Sequence, residues 1–309
     1  MDGIVVIDKP AGCTSHDVVA KVKRILRARK AGHLGTLDPM ATGVLPVCVN
    51  EATKLAQFLS TADKTYRAVM LLGVQTDTQD TEGKITGRCE LMPRQEEIIK
   101  TLAGFAGKIK QLPPAFSAVK YKGKPLYRYA RAGEFPERTV REVEVFDLKV
   151  REIDCPHVTF DIVCSAGTYI RTICSDAGQA LGCGACLCRL RRVKSGPFTE
   201  SMAVSLVAGE GEEKRKELLD RMLSMQESVP YIPAVVVDDS TARRLRDGFQ
   251  PDAHMLRHNV HSFLVVGDMI KFTGPNGELV ALAEMQMPAV EISRGKENTQ
   301  AARLLRVFK

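Results

Sequence analysis

Apolar residues recur along the chain in two rhythms, and the places where one gives way to the other mark out a mixed α and β protein. The opening Gly3-Ile-Val-Val-Ile-Asp8-Lys9-Pro10 is a short apolar run ended by Pro10, which predicts a strand entering the Gly12 loop. Ser15 then caps a predicted helix. Val18, Val19, Val22, Ile25 and Leu26 fall on one face at helical spacing, while Lys21, Lys23, Arg24 and Arg27 project elsewhere, as on a solvated face. Residues 44–49 and 66–74 are strand-like, with a helix expected over 52–59 between them. Residues 95–105 predict another amphipathic helix through Ile98, Ile99, Leu102 and Phe105. The stretch 143–150 alternates in part, and 157–164 reads as a buried strand leading into a helix that begins near Thr168. Without the regular alternation of βαβ units, the fold class is α+β and not a doubly wound sheet.

The character of the chain changes toward its end. Residues 209–226 are charged and helix-prone, and after Pro230 short strands are punctuated by Gly and Pro, which places a domain boundary near residue 231. Between 118 and 140, Tyr121, Tyr127 and Tyr129 alternate with Lys122, Lys124, Arg128 and Arg131. That interleaving suits phosphates and stacked bases, and it equally suits a surface loop that happens to carry tyrosines.

Composition narrows the function classes. Lys and Arg number 44 against 37 Asp and Glu, a net charge of +7 that fits a polyanionic partner without requiring one. Nine cysteines, no apolar signal segment and no apolar run of membrane-spanning length predict free thiols in a reducing cytoplasm and no membrane contact. Cys183-Gly-Ala-Cys186-Leu-Cys188 has one metal-like spacing, but no second Cys or His pair follows at zinc-finger distance, so these cysteines read as structural and no metal is expected. The absence of a Walker-type loop or dinucleotide fingerprint argues against nucleotide-cofactor chemistry.

The run Gly32-His33-Leu34-Gly35-Thr36-Leu37-Asp38-Pro39-Met40-Ala41-Thr42-Gly43-Val44-Leu45-Pro46 has three glycines, two prolines and an acid held extended before Pro39. On its own, Asp-Pro in such a loop reads as a turn in which the aspartate bonds its own backbone. Taken with Asp8-Lys9-Pro10, Lys64-Thr65-Tyr66, Asp77-Thr78-Gln79-Asp80 and Gly167-Thr168-Tyr169-Ile170-Arg171-Thr172, the run resembles the TruB family of pseudouridine synthases. The resemblance spans residues 3–198 in family order.

It implies a pseudouridine synthase catalytic domain over 1–230, with a mixed, largely antiparallel sheet, flanking helices and a basic RNA-binding insertion near 118–140. The implied activity turns uridine 55 in the T loop of tRNA into pseudouridine: the bond to N1 breaks, the uracil turns, and C5 is joined to the same ribose. No cofactor is needed. Asp38 takes the place of the covalent nucleophile, Arg171 pairs with it, and Tyr66 packs under the base and is a candidate for taking the C5 proton. Tyr169 and Leu190 match pocket residues, Lys9 a further substrate-binding position, and His33 the residue that fills the stack once the uridine has flipped. Whether Asp38 attacks ribose or base stays open.

The segments Val265-Val-Gly267-Asp-Met-Ile-Lys271-Phe and Leu304-Leu-Arg-Val-Phe308 loosely resemble a PUA domain, so 231–309 is expected to be a small RNA-binding β-barrel. The expected partner is the tRNA T-arm, bound by a monomer without guide RNA. A non-catalytic tRNA-binding protein and a guide-RNA-dependent relative are the rival readings. Asp38 together with Arg171 and both tyrosines favours the stand-alone enzyme.

Overall fold

The structure is a computed structural model that describes residues 1–206, 211–257, 260–292 and 299–309. In chain order the elements that build the site are β1 (Gly3–Lys9), α1 (Ser15–Ile25), β2 (Ala31–His33), β3 (Thr42–Val49), β4 (Lys64–Leu72), α2 (Gln95–Ala103), β5 (Gly107–Gln111), α3 (Leu126–Arg131), β6 (Arg141–Asp154), β7 (His157–Cys164), α4 (Ile170–Ala180), β8 (Ala185–Ser195) and β9 (Val204–Ser205). The main sheet runs β9-β1-β3-β8-β4-β7-β6-β5. Its neighbours are antiparallel except for β9 with β1 and β8 with β3, so the sheet is mixed and largely antiparallel, as the family resemblance implies.

The middle of this sheet positions the site. Strand β8 lies between β3 and β4, and its register sets Arg192 beside Gly43 on one side and Tyr66 on the other, with Leu190 opposite Ala68. The residues of β8 were not legible as a strand, because Cys186, Cys188 and four basic side chains disguise the alternation. Cys183 and Cys186 are buried, and the described cysteines are free thiols. Burial pushes the Cys186 thiol up to about 11, which suits an inert packing residue.

Several boundaries differ from the sequence reading for local reasons. Helix α1 is capped by Thr14, not Ser15: the Thr14 hydroxyl accepts from Asp17 N at 3.1 Å while the Asp17 carboxylate accepts from Thr14 N at 2.8 Å. Ser15 instead faces inward, donating to Leu37 O and accepting from Leu37 N, which ties the helix start to the Asp38 loop. The helix expected over 52–59 is a 3-10 segment, Asn50–Leu55, followed by one α turn. Strand β4 stops at Leu72 because Gly73 turns to a φ of +77°, and Val74–Thr76 pairs instead with Ile85–Arg88. Ile99 is exposed, leaving Ile98 and Leu102 as the buried face of α2. Helix α4 opens at Ile170, with Tyr169 at its N-cap. Of the charged stretch 209–226, residues 209–210 lie outside the described residues, and α5 spans Glu212–Asp220.

The C-terminal part has its own core, gathered from Val235, Leu245, Phe272, Val280 and Ala302 among others. It contains β10 (Ala234–Val236), α6 (Asp239–Arg246), β11 (Met269–Thr273), β12 (Leu279–Met285) and β13 (Ala302–Val307). These strands form one sheet in sequence order, with β10 parallel to β11 and the rest antiparallel. A third apolar cluster joins it to the larger part through Ile4, Val44 and Leu55 against Leu279, Leu282 and Phe308. Among the described residues no helix is long and apolar enough to cross a membrane.

Gly43 shows how tightly the site is framed. It has a φ of +99°, and a Cβ there would sit 2.3 Å from the carbonyl oxygen of Arg192. Gly43→Ala is therefore expected to destabilise the fold by about 2 kcal/mol or more through left-handed strain and the backbone clash. Urea unfolding checks this.

Candidate active site

Two buried cations shape the loop that presents Asp38. Lys9, at the end of β1, has no exposed surface, and its ammonium donates to the carbonyls of Ala41 at 2.7 Å, Pro10 at 2.9 Å and Pro39 at 3.1 Å. Burial holds its pKa below the usual lysine value, opposed by nearby groups that include Asp38. A lysine with all three N–H bonds spent on backbone has none left for RNA. The substrate-binding role expected for Lys9 is therefore corrected to one of holding the loop. Arg192, 1% exposed, grips the opposite end, donating from Nε to Val44 O at 2.7 Å and from Nη2 to Gly35 O at 3.0 Å.

Asp38 meets Arg171 where this loop crosses the start of α4. Arg171 Nε lies 2.9 Å from Asp38 Oδ2, off the N–H axis, so that contact is ionic, while Nη2 donates to Oδ1 at 3.3 Å. The Arg171 side chain is only 4% exposed and serves more than one acid: Nη1 donates to Asp80 Oδ2 at 3.4 Å and to Thr78 O at 2.9 Å, and Nη2 to Phe116 O at 2.9 Å. Asp80 is itself held, accepting from the Thr78 hydroxyl at 2.6 Å and from Glu82 N at 3.1 Å. The Asp77-Thr78-Gln79-Asp80 motif was visible in the sequence, but its second acid acquires a role only when the fold brings it to Arg171.

About a third of the Asp38 side chain is accessible, and Asp38 lines two cavities. Burial pushes its carboxyl above the usual range, with Arg171 pulling the other way and Asp80 adding to the rise. Asp38 stands where two cavities adjoin. One, of about 270 Å³, is lined by Lys64, Tyr66, Tyr169, Leu190 and Arg192; the other, of about 560 Å³, by His16, His33, Glu82, Tyr127 and Arg131. Both include Asp38 and Arg171.

The fold thus brings Asp38, Arg171, Tyr66, Tyr169 and Leu190 around the smaller cavity and sets His33 on the larger one. Burial raises the Tyr66 phenol above its usual pKa, with the Arg192 charge opposing, so Tyr66 is protonated near neutral pH. Tyr169 is likewise raised by burial. The Gln111 side chain fixes the Tyr169 backbone, accepting from Tyr169 N at 3.0 Å and donating to Tyr169 O at 3.2 Å. Burial lowers the His33 pKa, helped by Arg192 and His16, and its buried Nδ1 has no hydrogen-bond partner among the described residues. Sequence reasoning assigned no role to Asp80, Gln111, Lys64 or Arg192, although Lys64 and Asp80 belong to the family motifs and Arg192 lies two residues after Leu190.

The basic, tyrosine-bearing segment forms a short hairpin, Lys120–Tyr121 with Lys124–Pro125, that runs into α3. Its cations lie over its own rings, Lys124 Nζ 4.5 Å from the Tyr129 centroid and Arg131 5.6 Å from that of Tyr127. Tyr127 and Arg131 carry the segment to the rim of the larger cavity. Among the described residues no group of three or more His, Cys, Asp or Glu side chains could hold a metal ion.

Residues 23–170 match the N-terminal domain of the TruB family of pseudouridylate synthases, and residues 171–229 match the tRNA pseudouridylate synthase B C-terminal domain. The chain is 49% identical to tRNA pseudouridine synthase B of Syntrophus aciditrophicus over 100% of its own length and 99% of the relative's, and 43% identical to that of Geobacter sulfurreducens over 100% of both. Among solved structures it is similar to a chain of a Cbf5-Nop10-Gar1 complex, with a TM-score of 0.74 at 32% identity over 99% of this chain and 85% of that one. An H/ACA RNP bound to a substrate RNA containing 2'-deoxyuridine is similar at a TM-score of 0.74 and 30% identity, covering 99% of this chain and 85% of that one. The chain belongs to the TruB family of pseudouridine synthases.

Proposed function

We propose that this protein isomerises uridine 55 in the T loop of tRNA to pseudouridine, acting without cofactor or guide RNA. The coarser activity, making pseudouridine in tRNA, follows from family membership and from full-length identity to tRNA pseudouridine synthases B. One observation supports a mechanism that depends on Asp38: its carboxylate, held by a buried arginine, is the one acid among the described residues lining the cavity that Tyr66 and Tyr169 also line. Cutting and rejoining a base at the same ribose needs a nucleophile, a pocket that holds the free base, and a route for one proton. Asp38 is the nucleophile. Its carboxylate traps or stabilises the electron-poor carbon, as in retaining glycosidases, and Arg171 keeps the charge in place and aimed.

Tyr66, Tyr169 and Leu190 enclose the base. Tyr66 lies beneath it, and a phenol kept protonated by burial is better suited to that packing role than to taking the C5 proton. His33, neutral in its half-buried position at the end of β2, fills the stack that the flipped nucleotide leaves. The hairpin cations near 118–140 hold the RNA backbone, and residues 231–309 act as a PUA-like second contact, to which α6 brings Arg243, Arg244 and Arg246 in its last turn.

The reading is tested by incubating the protein with an unmodified T-arm stem-loop and mapping pseudouridine chemically. Conversion at position 55 alone is expected; no conversion, or conversion at a different uridine, overturns it. Affinity for the same RNA is expected to fall by roughly tenfold or more between about 50 and 200 mM salt, because several basic side chains displace counterions. A flat salt response contradicts the phosphate contacts.

A further inference from the structure

Lys64 is a buried cation that the reading above leaves without a task. It is 5% exposed, lines the smaller cavity with Asp38, Tyr66 and Leu190, and has no carboxylate within 4.0 Å among the described residues. Its ammonium donates to Ser60 O at 2.6 Å and to Ala62 O, which fixes its position and spends two of its three N–H bonds. The third has no protein acceptor among the described residues. Burial pushes the Lys64 pKa down to about 8, with the Arg192 charge adding to the fall. A buried cation without a counterion is costly, and the cost is offset when something else brings negative charge to it.

Strand geometry says where that charge arrives. Lys64 and Tyr66 are two residues apart on β4, so both point from the same face of the strand into the cavity. If Tyr66 lies beneath the flipped uracil, the Lys64 ammonium sits at the edge of the ring, where the carbonyl oxygens are. When the C1′–N1 bond breaks, its electron pair leaves with the base and spreads from N1 onto O2 and O4. Asp38 supplies an electron pair to C1′ and takes it back when C5 bonds to C1′. One proton is lost from C5 and one is gained at N1, and the lysine keeps its own protons throughout. The four Nη N–H bonds of Arg171 go to Asp38, Asp80 and two backbone carbonyls and its Nε lies against Asp38, which leaves Lys64 as the lysine of this cavity with an N–H to spare.

We propose that Lys64 is a further catalytic residue, donating its remaining N–H to a carbonyl oxygen of the flipped uracil and stabilising the negative charge on the detached base. This rests on the pseudouridine-synthase reading, and the test separates the two. Wild type and Lys64→Met are compared in single-turnover reactions on T-arm RNAs carrying uridine or 5-fluorouridine at the target position, following loss of the intact nucleoside after nuclease digestion. Fluorine at C5 withdraws electrons and stabilises the uracil anion by itself, so a group that stabilises the same charge matters less.

Lys64→Met is expected to slow the uridine reaction by about a hundredfold, the usual loss for one donor to a developing oxyanion, and the fluorinated one at least several-fold less. Each ratio of the two rates comes from one protein preparation, so a reduced folded fraction cancels. Should Lys64→Met yield no folded protein, Lys64→Gln, which keeps an N–H donor for the turn carbonyls, carries the same comparison. Equal slowing of both substrates makes Lys64 a structural lysine and overturns the proposal, as does unchanged turnover. Inactivity of the wild type on the uridine RNA counts against the function itself and not against Lys64 alone.

Discussion

The buried guanidinium of Arg171 is the constraint on which the rest of the site depends. Four stretches remote in sequence converge on it: the Asp38 loop, the Thr78–Asp80 segment, the Phe116 carbonyl and the first turn of α4 that carries the arginine. An arginine at 4% exposure must be matched by acceptors, since a buried charge stripped of a partner costs on the order of 3–5 kcal/mol. Folding the α4 end of the sheet therefore assembles the nucleophile's environment. With Asp80 and two backbone carbonyls also satisfying Arg171, the Asp38 carboxylate can exchange its ion pair for a bond to substrate without leaving the arginine bare.

The loop carrying Asp38 is rigid for a second reason. Lys9 collects the carbonyls of Pro10, Pro39 and Ala41, Arg192 those of Gly35 and Val44, and Ser15 holds Leu37 in both directions. Cations buried against backbone carbonyls bend the chain while lowering the negative potential near the aspartate. That arrangement, more than the glycines and prolines alone, explains why an Asp-Pro step that reads locally as a turn presents its side chain to a cavity.

Much of the architecture was legible because it rests on local periodicity: β1, α1, β3, β7 and the buried face of α2 follow from apolar spacing. Strand β8 was not, since its basic residues pair with acids or enter the site instead of alternating with apolar ones. Arg191, for example, meets Asp8 and Glu200. The motif residues Asp38, Arg171, Tyr66, Tyr169 and Leu190 were found through family pattern, and the fold brings them to one cavity. Lys9 was misjudged because a motif lysine and a loop-holding lysine look alike until burial is known. Asp80 and Lys64 show the converse limit: their partners lie 91 residues away in the first case and across a short turn in the second, and neither separation leaves a mark in a linear pattern.

The most direct test of the central claim is Asp38→Asn, which keeps the shape and some hydrogen bonding at Arg171 while removing the nucleophilic charge. RNA affinity measured by filter binding and pseudouridine formation measured on a T-arm stem-loop are compared with wild type. The account predicts affinity within a few-fold of wild type and no detectable pseudouridine even over long incubation; clear residual turnover by the folded variant would contradict it.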